Sequence, residues 1–199
     1  MNTVKIVPLI LGIPLLLNGC SPQQPGVDLD RVMKIALESM QRYEQTTLSG
    51  VDGKMDDAAM AQFSRDLSDD LRMAQPPLYT GPLSAVVAKD GSIQGYHDRN
   101  ANYVRETGEE DLFKIEIDSQ NKRIIASNDG VVRDQGMGMG GGFLMGMLMG
   151  NLLSRQSAAG IRPGAFNNVR ATPKPRTRTR SSFGSARSRA GSGSFSSGK

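Results

Sequence analysis

Cysteine and histidine each occur once in the 199 residues, as Cys20 and His97, and tryptophan does not occur. One thiol cannot close an intramolecular disulfide, so the fold has to be stable through ordinary burial. No serine stands in a Gly-x-Ser-x-Gly elbow, which removes that route to nucleophilic catalysis. Asp98 follows His97 directly, but neighbours in a strand point to opposite sheet faces and make a poor acid–base pair. These absences argue against an enzyme. Long apolar runs are scarce as well: Ile6 to Leu17 is twelve residues, short of the roughly 20 that a bilayer-spanning helix needs. Acidic residues stop at Asp134.

What is present begins with a leader pattern. Lys5 supplies a positive n-region, Ile6 to Leu17 an apolar h-region, and Gly19 the small residue required just before a cut at Cys20. Leu17-Asn18-Gly19-Cys20 resembles a bacterial lipoprotein lipobox. The resemblance implies that residues 1–19 are a signal peptide, that the Cys20 thiol takes a diacylglycerol, and that the new amine is acylated. Two or three acyl chains hold a protein on a membrane stably, where one holds it marginally at about 0.8 kcal/mol per buried methylene. Ser21 stands where enteric lipoproteins retained at the inner membrane carry Asp. That implies the periplasmic face of the outer membrane, with inner membrane or cell surface as alternatives.

Charge divides the rest of the chain. From Cys20 to Gly150 there are 13 Lys and Arg against 20 Asp and Glu, a net −7; from Asn151 to Lys199 there are 10 against none, a net +10. The expected organisation is a tether over 20–26, one small domain over 27–134, a Gly- and Met-rich segment over 135–154 and a disordered Arg-, Ser- and Gly-rich tail over 155–199.

Within the domain the hydrophobic period changes once. Leu29, Val32, Met33, Ala36, Leu37, Met40 and Tyr43 recur at spacings of 3 and 4 behind a cap at Asp28 or Asp30, which predicts a helix. A second follows a cap at Asp56 or Asp57, with Met60, Phe63, Leu67 and Leu71 in a stripe, and Pro76-Pro77 stops it. Strands are predicted over 83–88 and 92–96 around Asp90-Gly91, a type I′ hairpin signal. Phe113, Ile115 and Ile117 alternate with polar residues, and 123–127 returns after a turn. The reading is an α+β domain, two N-terminal helices packed on an antiparallel meander of three or four strands.

Two segments invite a chemical reading. Asp98, Asn100, Asn102, Glu106 and Glu109 place oxygen donors at positions 1, 3, 5, 9 and 12 of a loop, with Val104 offering its carbonyl at position 7. The run resembles the calcium loops of extracellular bacterial domains, although Tyr103 stands where those loops have glycine and strands replace the flanking helices. Calcium is the one cofactor this suggests, with a plain Asx-rich turn as the structural alternative. Gly138, Gly142, Gly146 and Gly150 recur every fourth residue in the uncharged run 135–154 and resemble a glycine zipper, whose flat groove lets another backbone approach. Docking on the domain or membrane interface, self-association into a homo-oligomer, and a plain apolar linker all remain open for it.

The tail, with Arg176, Arg178 and Arg180, resembles Arg- and Gly-rich RNA-binding segments. An envelope location argues against nucleic acid and for an anionic lipid or envelope polymer, near which each basic residue is worth about 1 kcal/mol. The leading expectation is a non-enzymatic, lipid-anchored envelope protein that uses the Gly/Met segment and the tail for membrane or self-association. The alternative is a weak calcium-binding or calcium-responsive module.

Overall fold

The computed structural model describes residues 26–47, 55–138 and 146–174. Cys20, Gly142 and residues 175–199 lie outside them. Helix α1 (Leu29–Thr46) starts at Asp28, whose carboxylate accepts hydrogen bonds from the Asp30 and Arg31 N–H groups, an N-cap that satisfies otherwise orphaned donors. Helix α2 (Asp57–Met73) is capped in the same way by Asp56, which accepts from Ala59 N–H at 2.8 Å. The two run antiparallel. Tyr43 donates its hydroxyl to Ala59 O at 2.8 Å and meets Phe63 edge to face with centroids 5.4 Å apart, while Ser39 and Arg42 both donate to Asp70.

Five strands form one antiparallel sheet in chain order: β1 (Leu83–Val87), β2 (Ile93–His97), β3 (Asp111–Asp118), β4 (Arg123–Asn128) and β5 (Val131–Gly136). Period-2 alternation puts Leu83, Ala85, Ile93, Phe113, Ile115, Ile117, Ile124 and Ala126 on one face, where they join the helices in the core. Phe113 lies across Gly95, where a Cβ would meet its ring at 2.1 Å. The α+β class with an antiparallel sheet is therefore as expected, but three details differ.

The first concerns the turns. At Asp90-Gly91 only Gly91 is left-handed (φ +74), and Gly91 N–H donates to Ala88 O. A type I′ turn needs both central residues left-handed, so this hairpin uses a longer loop, tightened by the Asp90 carboxylate accepting from Ser92. The two-residue I′ geometry occurs instead at Asp129-Gly130 (φ +43 and +79), between paired Asn128 and Val131. That turn creates β5, the strand missing from the expected meander.

The second is helix α3 (Met147–Ala158), which carries the domain past the expected end at residue 134. Leu148, Met149 and Leu152 are buried in the common core. Glu44 of α1 caps the helix from a hundred residues away, accepting from Met147 and Leu148 N–H at 3.2 and 2.5 Å. Buried Gln156, with its amide oriented to satisfy the network, donates to Ile117 O and accepts from Ile117 N–H, both at 3.1 Å.

The third is the segment 161–174, which was expected to belong to a disordered tail and instead makes specific contacts. Arg123 donates to the carbonyls of Phe166 and Val169. Thr172 then exchanges hydrogen bonds with Val132 along the outer edge of β5, and Lys174 reaches Asp30 in the first turn of α1 at 2.8 Å. Among the described residues no helix is long and apolar enough to cross a membrane.

The architecture has two distinct ends. The start of α1, the end of α2, the β2–β3 connection, the β4–β5 turn and Lys174 are together at one; the β1–β2 and β3–β4 turns, the end of α1 and the start of α2 are at the other. Because Leu152 is wholly buried, Leu152→Ala should cost about 3 kcal/mol, within the range for large-to-small core changes. Urea denaturation of the chain from residue 20 onward, carrying Cys20→Ser, measures it. A cost under about 1 kcal/mol would mean that α3 is not part of the cooperative core.

Candidate functional site

Helix α2 presents Ser64, Ser68 and Arg72, spaced by four residues, to the edge of β1. Val87 N–H donates to Ser64 Oγ at 3.2 Å and Ala85 N–H to Ser68 Oγ at 2.9 Å, and Arg72 Nε donates to Leu83 O at 2.9 Å. Side chains thus occupy backbone groups that an exposed edge strand would offer to another chain. This stripe flanks the apolar positions Phe63, Leu67 and Leu71 one residue on. That periodic polar signal is readable in the sequence, and the sequence reading passed over it.

Arg72 continues into the loop after β2. Its Nη2 lies 2.5 Å from Ser84 Oγ and 2.7 Å from Asp98 Oδ2, and its guanidinium sits 4.2 Å from the centre of the Tyr103 ring, a cation–π contact. Asp98 is fully enclosed. Besides Arg72 it accepts from Ser84 Oγ at 2.8 Å, Tyr103 N–H at 2.8 Å and Asn102 N–H at 3.1 Å. Burial alone would raise its pKa, but the Ser84 hydroxyl, the Tyr103 and Asn102 N–H groups and the Arg72 charge outweigh it and hold the carboxyl below the usual range. Tyr96 lies behind this group, wholly buried, and its hydroxyl has no hydrogen-bond partner among the described residues. The Ser84 proton points to Asp98 instead. Burial and the Asp98 charge push Tyr96 up to about 12.

The rest of the loop folds on itself. Asn102 N–H donates to Asn100 Oδ1, Val104 N–H to Asn102 Oδ1, and the amides of Asn100 and Asn102 both donate to the Glu106 carboxylate. Glu109 accepts from the N–H groups of Arg99 and Glu106. Tyr103, at the position where calcium loops have glycine, takes the left-handed conformation (φ +63) and is held there by its hydroxyl donating to Asp69 at 2.7 Å. All six proposed calcium donors thus share one loop, but the positive charge at Asp98 comes from Arg72. Among the described residues no group of three or more His, Cys, Asp and Glu side chains is arranged to hold a metal ion.

The glycines do not share a helical face among the described residues. Gly138 follows β5, Gly146 is the N-cap of α3 with extended ψ, and only Gly150 is helical. A Cβ at Gly138 or Gly150 would meet nothing within 4 Å, whereas at Gly146 it would meet the Glu44 carboxylate at 2.3 Å. Close approach at Gly146 serves the cap on α3. His97 stacks edge to face on Tyr79, centroids 5.1 Å apart, and packs against Gly81. Set against protein families, curated proteins and solved structures, the chain matches none.

The Arg72–Asp98 pair predicts a pH dependence of defined sign. A carboxyl with a depressed folded pKa stabilises above its unfolded pKa of about 3.9, and that stability is lost as pH falls through the lower folded value. Asp98→Asn should cost about 3 kcal/mol at pH 7, since it leaves the Arg72 charge without its counter-ion. The deficit should shrink below pH 4, with Asp90 and Asp118, also depressed, keeping a residual acid sensitivity in the variant. Urea midpoints between pH 2.5 and 7 check this; a deficit that stays constant would remove the pair's electrostatic role.

Proposed function

We propose that the protein is a non-enzymatic, lipid-anchored component of a bacterial cell envelope. The observation that carries the reading is Cys20, the only cysteine, at the end of an apolar h-region and directly behind Gly19. The domain from Gly26 to Lys174 serves as a folded body on that anchor. Its polar network at Asp98 is spent on joining α2 to the sheet, and its single histidine is packed against Tyr79 and Gly81. Met147 to Leu153, the described end of the Gly/Met segment, packs on the domain core, so association with other surfaces falls to the basic tail. After Lys174 that tail has Arg176, Arg178, Arg180, Arg187, Arg189 and Lys199 and no acidic residue. Such a sequence suits an anionic lipid or envelope polymer.

Cys20→Ser should abolish incorporation of a clickable palmitate analogue and leave the precursor uncut, because no second thiol can take the thioether. Equal labelling of both chains would end the lipoprotein reading. The tail makes a separate claim. Truncation after Lys174 should weaken binding of the non-acylated Cys20→Ser chain to phosphatidylglycerol vesicles, and 1 M salt should mimic the truncation as the Debye length falls to about 3 Å. Binding indifferent to both would reduce the tail to a solubilising end.

A further inference from the structure

All three large apolar side chains exposed among the described residues, Met73 at 67 %, Val104 at 57 % and Val131 at 38 %, stand at one end of the sheet. They come from three separate places in the chain. Met73 closes α2 beside the start of β1, Val104 lies in the β2–β3 connection, and Val131 opens β5 after the Asp129-Gly130 turn. The first and the last described residues both lie at this same end. Gly26 sits beside Asn128, where a Cβ would stand 3.8 Å from the side-chain amide, and Lys174 is paired with Asp30 two residues beyond the α1 cap.

We propose that this end is the membrane-facing surface, on which Met73, Val104 and Val131 rest against the anionic bilayer that holds Cys20. The inference rests on acylation of Cys20 and adds an orientation to it. Six peptide steps separate Cys20 from Gly26 and span at most about 22 Å, so the lipid confines this end and no other. The eight residues of β3 put the opposite end about 27 Å further away. Charge sets a condition that the chain meets. Glu106, Glu109, Glu110, Asp111 and Asp129 stand at the same end, with Asp28 and Asp30 at the start of α1, against Arg31, Arg99, Arg105 and Lys174, and an anionic surface repels that balance. Lys174 is held at this corner by Asp30, and the six basic residues that follow it in the chain offset the balance.

Because the native cysteine is consumed by the acyl thioether, single engineered cysteines can report orientation in the full acylated chain. Met73→Cys and Val104→Cys mark the apolar end; Lys89→Cys and Thr47→Cys, both exposed, mark the other. Each labelled protein is reconstituted in phosphatidylglycerol-containing vesicles with a nitroxide quencher on the lipid headgroup. Quenching should be at least threefold stronger for the first pair than for the second, and replacing the other two of Met73, Val104 and Val131 by Ser in the Met73→Cys or Val104→Cys chain should bring the ratio towards one. Equal quenching at the two ends overturns the orientation, as does a contrast indifferent to the Ser substitutions. So do apolar-end probes that stay unquenched and crosslink between copies, which would assign the surface to a second copy of the chain. Mass spectrometry of the same preparation separates the two levels: acylated Cys20 with equal quenching removes the orientation alone, whereas unacylated Cys20 removes the lipoprotein reading and the orientation together.

Discussion

The guanidinium of Arg72 is the contact on which the arrangement of helix and sheet turns. It donates to the backbone of β1 at Leu83, to Ser84 and to the enclosed carboxylate of Asp98, and it carries the ring of Tyr103 on its face. A carboxylate with no exposed surface is tolerable only when its charge and lone pairs are met. Arg72, Ser84 and two backbone N–H groups meet them. With the end of α2 fixed there, Ser68 and Ser64 fall one and two turns back along the same edge of β1. A helix side thus closes the first edge of the sheet, and Thr172 closes part of the last. Edge strands left open invite pairing with other chains, and in this molecule both edges have partners from within.

The other end depends on polar groups that arrive late in the chain. Ile117 extends past the last paired position of β2, Ile93 with Ile115, so its buried N–H and C=O face no strand on that side. The Gln156 amide takes both, which anchors α3 over the core at a point where an apolar residue would leave two backbone groups unsatisfied. Glu44 completes the docking at the helix start, where a negative charge also meets the positive end of the helix dipole. Leu148 and Leu152 then close a core that would otherwise be open to water. The uncharged run that looks like a separate segment in composition is therefore divided by tertiary contacts, with its described second half built into the domain.

The membrane-facing assignment joins the short tether, the three exposed apolar side chains and the start of the basic tail at one end. Under that proposal the end holding α3, the cap at Glu44 and the β1–β2 and β3–β4 turns faces away from the bilayer. On the proposed reading, a folded domain with a net acidic balance would be kept near an anionic surface by two different forces. Acyl chains would act by burial and be indifferent to salt, whereas a basic tail would act over a Debye length and would not.

Local pattern was enough for the first half of the fold. The caps at Asp28 and Asp56, the stripes of α1 and α2 and the alternation at Phe113, Ile115 and Ile117 are properties of neighbouring residues, and helix and strand periods express them directly. Four of the five strands and the grouping of Asp98, Asn100, Asn102, Glu106 and Glu109 in one loop follow from the same reading. Asp129-Gly130 carries the same local signal as Asp90-Gly91, and of the two only Asp129-Gly130 has both residues left-handed. What spacing could not express is pairing at a distance: Arg72 with Asp98, Glu44 with the start of α3, Gln156 with Ile117, Lys174 with Asp30. Each joins residues 26 to 144 positions apart, so nothing in the local sequence marks one partner for the other. The sequence by itself determined α1, α2, four of the five strands and where the charge lies. Only the tertiary structure decided that Asp98 answers to an arginine and that the Gly/Met run ends inside the core, because a buried polar group is satisfied by whatever the fold brings within about 3 Å.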